Sequence, residues 1–387
     1  MIGVGLLAWR YIAFYRVRTF ILIAALTLTF FLPLATRWTI KRFEGRAMER
    51  ASSTPLVVGA KGSRFGLAMN ALYFRGESPE LLPQAQLSRI EETKLAKTIP
   101  LFVRFRARGF AIVGTTNDYL QYRGLLVERG ENLQRLGDCL LGARVASRLG
   151  LLPGDRLLSE PENLFDLSGP SPLNMRVAGI LKPMGSPDDE IVLCNLKTTW
   201  IMQGIGHGHS ANSESDSHEH SASKENLNQN VEVTDENLKT FHFHGPSDTF
   251  PLTAIIVIPD SERSETILIG KYLSAEEPYQ IIRPVEVVDE MMRLISQIRR
   301  LFDWIALLLA VVTILLVGLV VMLSIRLRVG EIHTMTLLGC SRTTIAGIVL
   351  AELAIVLAIS LAFAVILALG ALTGSDILFG AQTNREL

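Results

Sequence analysis

The chain has 387 residues, 49% of them hydrophobic, with 38 Lys and Arg set against 38 Asp and Glu. A formal charge of zero leaves no electrostatic footprint for nucleic acid or for an acidic partner. The mean hydropathy is positive, and the apolar residues are clustered in long runs, which points to a membrane protein with a sizeable aqueous part. Cys139, Cys194 and Cys340 lie far apart without metal-type spacing. Cys139 and Cys194 either stay as two buried free thiols or pair in an oxidising compartment.

Residues 1–18 carry Arg10, Arg16 and Arg18 ahead of an apolar run, Phe20–Ala35, interrupted only by Thr27, Thr29 and Pro33. The run is longer than a signal-peptide core, and its exit through Arg37 and Trp38 suits an interfacial anchor better than a cleavage site. The expectation is an uncleaved membrane helix over 19–38. From Trp38 to Arg300 no run reaches membrane length. The pattern over 39–300 is that of an α+β domain, with strands expected at Pro55–Gly59, Phe110–Gly114, Met175–Leu181, Glu190–Leu193 and Leu252–Ile258. Helices are expected at Pro83–Lys97, Asn132–Leu149 and Val285–Arg300. In the second of these Leu133, Leu136, Leu140, Leu141 and Val145 share one face, and Gly150 is its stop.

Inside this domain, residues 204–246 hold six of the seven histidines: His207, His209, His218, His220, His242 and His244. Few large apolar residues lie among them, so a flexible insertion is expected. Three His-x-His pairs beside Asp216 and Glu219 supply imidazole and carboxylate groups suited to Zn²⁺ or another divalent transition metal, while a polar loop with a chance bias in histidine is the plainer reading.

Residues 301–325 contain Ile305–Ile325, in which only Thr313 and Ser324 are polar. Its length is roughly 31 Å as a helix, enough for a bilayer core. A bridge at 326–344 follows, then a second span at 345–372 and a tail at 373–387. Three membrane helices alternate sides. Arg326, Arg328 and Arg342 against Glu331 place the bridge and the N-terminus in the cytoplasm, and the large domain outside it. Glu352 falls at the cytoplasmic end of the last span, where an interfacial or structural role outweighs a proton relay. Ala354, Ala358 and Ala362 form a small-residue stripe that permits close helix packing, within the subunit or across a dimer.

Three stretches carry a family resemblance: WRYIAFYRVRTF (Trp9–Phe20), LVVGAKGS (Leu56–Ser63) and, most specifically, RVGEIHTMTLLGCSRTTIAGIVLAE (Arg328–Glu352). The chain resembles the FtsX-like permease family, the membrane subunits of MacB-type ABC transporters. The resemblance implies an extracytoplasmic MacB-like α+β domain on an α-helical transmembrane part, in a bacterial inner membrane. It also implies an ABC ATPase partner, a homodimer, and an extracytoplasmic adaptor or substrate-binding protein. The bridge is then the coupling element that docks on the ATPase, through Glu331, Met335, Leu337, Leu338, Gly339 and Arg342. An amphipathic segment lying on the membrane surface would show much the same residues. Four membrane helices are usual in the family, and this chain shows three. Within the family the role is either transport or, as in the FtsX branch, gating of a partner such as a cell-wall hydrolase. HExxH, GxSxG and a P-loop are all absent from the sequence, so an enzyme is not expected.

Overall fold

The computed structural model describes residues 2–161, 172–207, 231–233, 241–327 and 329–381. They form two compact units, Met1–Ala47 with Met291–Leu387, and Met48–Glu290. We call the first the helical unit and the second the sheet unit.

The helices are α1 (Ile2–Phe14), α2 (Arg16–Ser52), α3 (Arg64–Tyr73), α4 (Ala85–Glu91), α5 (Asn117–Arg123), α6 (Ala143–Leu149), α7 (Leu196–Met202), α8 (Glu262–Lys271), α9 (Pro284–Leu327), α10 (Val329–Leu337) and α11 (Arg342–Ala381). The strands from the N-terminal half are β1 (Leu56–Ala60), β2 (Leu82–Pro83), β3 (Ala96–Ala107), β4 (Phe110–Thr115), β5 (Val127–Gly130), β6 (Asp138–Leu141), β7 (Arg156–Leu158) and β8 (Leu173–Leu181). The remainder are β9 (Ile191–Asn195), β10 (Gly206–His207), β11 (Val231–Glu232), β12 (His242–Phe243), β13 (Pro251–Leu252), β14 (Ala254–Pro259) and β15 (Tyr279–Ile282).

In the sheet unit one mixed sheet runs β11-β8-β6-β9-β4-β3-β14-β1-β15, with β5 and β7 also pairing β8. Several of its inner strands, among them β1, β4 and β9, are short apolar runs buried over most of their length. All five residues of β1, LVVGA, are buried, as expected when a sheet is covered on either side. The core gathers Leu56, Phe102, Ile112, Leu141, Leu173 and Val192, each without measurable exposure.

The expected strands at 55–59, 110–114, 175–181, 190–193 and 252–258 are present, the last split by Thr253 into β13 and β14. The helix expected over Asn132–Leu149 is not formed as one element. Residues 138–141 are β6, held between β8 and β9, and only 143–149 are helical. The physical cause is at the flanks. Gly137 sits at φ 84°, and a Cβ at Gly142 would come within 2.4 Å of the Asp189 carbonyl oxygen, so the chain turns at both ends of Asp138–Leu141. Gly150 does end α6, in the left-handed region at φ 66°. Similarly, the helix expected at Pro83–Lys97 is α4 alone. Lys94 has φ 54°, and pairing of Ala96–Thr98 with Val257–Pro259 draws the next residues into β3.

The insertion over 204–246 is structured in its described parts. Gly206 and His207 pair antiparallel with Phe243 and His242, and Val231–Glu232 adds a parallel strand to β8. Phe241, Phe243 and Val233 pack against the core. The described residues of the insertion thus form paired segments, because aromatic and β-branched side chains within it find apolar cover.

In the helical unit α2, α9 and α11 are long and apolar enough to cross a membrane, judged by length and composition. They exceed the expected spans of 19–38, 301–325 and 345–372 at both ends. The expected tail at 373–387 is helical as far as Ala381, and residues 1–18 include α1, which no periodicity argument had marked. A small apolar cluster of Ile12, Leu22 and Val356 joins α1, α2 and α11. The Thr29 and Thr313 hydroxyls bond at 2.8 Å between α2 and α9. Such hydroxyl links satisfy polar groups that lipid would leave bare.

Candidate functional site

The segment with the most specific sequence signal folds as a helix, a turn and a helix. After Leu337 the Gly339 N–H donates to the Thr336 carbonyl and the Cys340 N–H to the Met335 carbonyl, both at 3.0 Å. Gly339 stands at φ 89°. This is a Schellman termination, which needs the left-handed residue that glycine supplies without strain. Two residues on, the Ser341 hydroxyl accepts from the Thr344 N–H at 3.2 Å and caps α11. The sequence Leu-Leu-Gly-Cys-Ser therefore stops one helix and starts the next with almost no slack.

Among the expected docking residues the described side chains differ in exposure. Met335 is half-buried and lines a cavity with Ile332, Arg18, Val320 and Glu352. Leu337 and Leu338 are 76% and 80% exposed. Gly339 is in the turn between them and α11. Glu331 lies in the first turn of α10 and Arg342 opens α11, while their side chains lie outside the described residues. Two neighbouring leucines thus stand exposed beside the Gly339 turn, while Met335 lines the cavity.

Glu352 is not at an open interface. It is 9% exposed, and its carboxylate accepts from the Arg18 guanidinium of α2. A carboxylate in an apolar run needs such a counter-charge. The isolated acid was a legible signal, but nothing local named Arg18, 334 positions away. The stripe of Ala354, Ala358 and Ala362 is exposed. Within the unit α11 packs through the neighbouring stripe of Val356, Ser360, Ala364 and Ala368.

A second cluster, unmarked in the sequence reading, lies in the sheet unit. Arg50, in the last turn of α2, gives both terminal nitrogens to Asp188 at 2.7 and 3.0 Å. It also donates to the Tyr119 hydroxyl at 2.7 Å and to the Leu72 carbonyl at 3.2 Å. Tyr119 in turn donates to Asp188 at 2.6 Å. Arg50 is 8% exposed, Asp188 2% and Tyr119 not at all. Burial works against the Arg50 charge, yet Tyr119 and Asp188 outweigh it and hold the guanidinium above its usual range. Burial likewise pushes the Asp188 carboxyl up, but the Arg50 charge and hydrogen bonds from Arg50, Tyr119 and Ser186 keep it below the usual carboxylate range. Around this core Arg123 donates to Ser53 and Thr54 at 2.9 and 2.7 Å, and Tyr122 donates to the Ser53 carbonyl. Helix α5 thus clasps residues 50–54. The Arg50, Tyr119 and Asp188 core is buried and mutually hydrogen-bonded, which suits it to fixing geometry.

Cys139 and Cys194 are free thiols, buried and directly opposite one another on β6 and β9. Burial pushes both thiols up, so neither is poised as a nucleophile at neutral pH. Among the described residues no group of three or more His, Cys, Asp or Glu is arranged to hold a metal ion. Of the six histidines, His242 and His244 are described with their side chains, His207 by its backbone on β10, and His209, His218 and His220 lie outside the described residues.

No family model matches the chain, and no curated protein matches it. Among solved structures, the extracellular domain of the noncanonic ABC-type transporter YknZ from Gram-positive bacteria is similar over 59% of this chain and 98% of that one, at 12% identity and a TM-score of 0.33. The periplasmic region of MacB from Actinobacillus actinomycetemcomitans is similar over 65% and 97%, at 11% identity and a TM-score of 0.34. A domain of a permease protein from Porphyromonas gingivalis gives 59% and 86%, 14% and 0.26.

Proposed function

We propose that this chain is the permease subunit of an ABC transporter of the MacB/FtsX type, seated in a bacterial inner membrane with its sheet unit outside the cytoplasm. ATP is hydrolysed by a separate subunit, and this chain passes the resulting motion outward to export or extract a substrate. The observation that carries the reading is the pair Leu337 and Leu338, exposed at the end of a short helix that ends in a Schellman turn between two helices of membrane length. Two leucines of that exposure are costly to leave in water and suit a groove on a partner. The motif residues of Arg328–Glu352 support the same reading. Exposure of Ala354, Ala358 and Ala362 and of the apolar side chains of α9 suits a second copy of the chain across lipid.

The test is co-purification. A tagged chain extracted in mild detergent should bring down an ABC ATPase. Leu337→Asp together with Leu338→Asp should abolish that association while leaving membrane insertion unchanged. Retention of the ATPase by the double variant would show that docking lies elsewhere.

A further inference from the structure

The β10–β12 ribbon has an amphipathic order that the coupling reading does not use. In Phe241-His242-Phe243-His244 the two aromatics are half-buried and pack on the core, while the two histidines are exposed. Alternation along an extended chain sends successive side chains to opposite faces, so His242 and His244 emerge on the same side. Their rings stand 4.8 Å apart between centroids, at 73°.

The ribbon beneath them is fixed. Phe243 meets Trp200 edge-on at 6.2 Å and Phe250 at 6.0 Å, and Trp200 meets Phe250 at 4.8 Å. The Trp200 indole N–H donates to the Pro251 carbonyl at 2.9 Å. Gly206 leaves room for the Phe243 ring, since a Cβ there would lie 2.7 Å from it. The His244 N–H donates to the Ile205 carbonyl at 2.9 Å. Backbone register also sets His207 directly opposite His242.

We propose that this ribbon is a binding site for a borderline divalent transition metal, Cu²⁺ or Zn²⁺, with His242 and His244 as its protein ligands and His207 at the adjoining cross-strand position. Imidazole nitrogen is the ligand type these ions select, at roughly 2.0–2.1 Å for zinc. Two rings a few ångströms apart on an anchored strand need little rearrangement to share one ion, and water fills the remaining positions. This differs from a loose chelating loop, because the ligands are ordered by the aromatic packing before any ion arrives. The inference does not depend on the docking of an ATPase, and its test contains none.

CuCl₂ titrated into the purified full-length chain in detergent should fill one site per chain. Electron paramagnetic resonance of that species should show superhyperfine coupling to at least two imidazole nitrogens, and ZnCl₂ should displace the copper. His242→Asn with His244→Asn should weaken the first equivalent at least about tenfold. His209→Asn, His218→Asn and His220→Asn combined should leave it unchanged. No bound equivalent, coupling to fewer than two imidazoles in the parent chain, or loss of the site in the triple variant would each overturn the assignment. The nitrogen count measured on the His209, His218 and His220 triple variant decides the matter even where the His242 and His244 variant misfolds.

Discussion

In the sheet unit, β1 buries every one of its five residues, whereas on α9 of the helical unit Leu308, Ile314 and Leu315 stand 66–69% exposed. The two sets are chemically alike, so composition does not separate them. What differs is where the covering atoms come from. The sheet unit covers its apolar strands with its own helices and loops. The helical unit leaves much of its apolar surface uncovered by its own chain, and its internal contacts combine the apolar cluster of Ile12, Leu22 and Val356 with small and polar groups: Thr29 with Thr313, Arg18 with Glu352, and the stripe through Ser360 and Ala364. Buried charge is compensated in both, by ion pairs at Arg50–Asp188, Arg176–Asp138 and Arg18–Glu352 and by the Met184 and Gly185 N–H groups at Asp189, because an uncompensated ion costs several kcal/mol wherever water is excluded.

This contrast can be broken most forcefully in the sheet unit. Asp188→Ala removes the counter-charge of a buried guanidinium and should destabilise that unit by ~3–5 kcal/mol; hydrogen exchange of β3 and β4 in the full chain measures it. Phe102→Ala, which empties a fully buried site, should cost a similar ~3–5 kcal/mol. A loss under ~1 kcal/mol for either would mean that the core relaxes in a way the packing does not suggest. Next in size, Leu315→Arg on α9 should reduce membrane insertion by ~2.5–3.5 kcal/mol, read by a glycosylation-mapping assay. An unaffected insertion would place that face against water or protein.

Acid should sharpen the comparison further. Asp188 is held below its ordinary value of 3.8, and Glu190 is held below 4.5 because Arg144 and Arg75 outweigh the effect of its burial. For a depressed carboxyl the stabilising contribution is complete above the unfolded value and is lost as pH falls through the folded one. Denaturant midpoints of the sheet unit should therefore hold steady at neutral pH and decline below about pH 4. Asp188→Asn should flatten that decline. The smallest expected effect is that of Leu315→Ala in detergent micelles, within about 0.5 kcal/mol, against the several lost at Phe102.

How far the sequence reaches follows from the same contrast. Runs such as Leu56–Ala60 and Ile191–Asn195 were legible as strands because they are short, β-branched and bounded. Leu140 and Leu141 were misread as part of a helix because four apolar-rich residues carry no period of their own, and only Gly137 and Gly142 marked the breaks. Helices α2, α9 and α11 were evident from length, though their ends were not, since helix continues into polar residues that pack elsewhere. The Gly339 stop was readable from a local rule. Arg50, Tyr119 and Asp188 were not, because they meet across 69 and 138 positions of chain, and no spacing rule links them. His242 and His244 were visible as residues, but the ordered aromatic bed under them was not.

Helix α9 is 44 residues without a break, about 66 Å of continuous rod, roughly twice the hydrocarbon thickness of a bilayer. It contains no proline after its first position, which removes the commonest cause of a sharp kink. A rod of that length magnifies angle: tilting it by about 5° about one end carries the other end through roughly 6 Å, more than a full helical turn's rise.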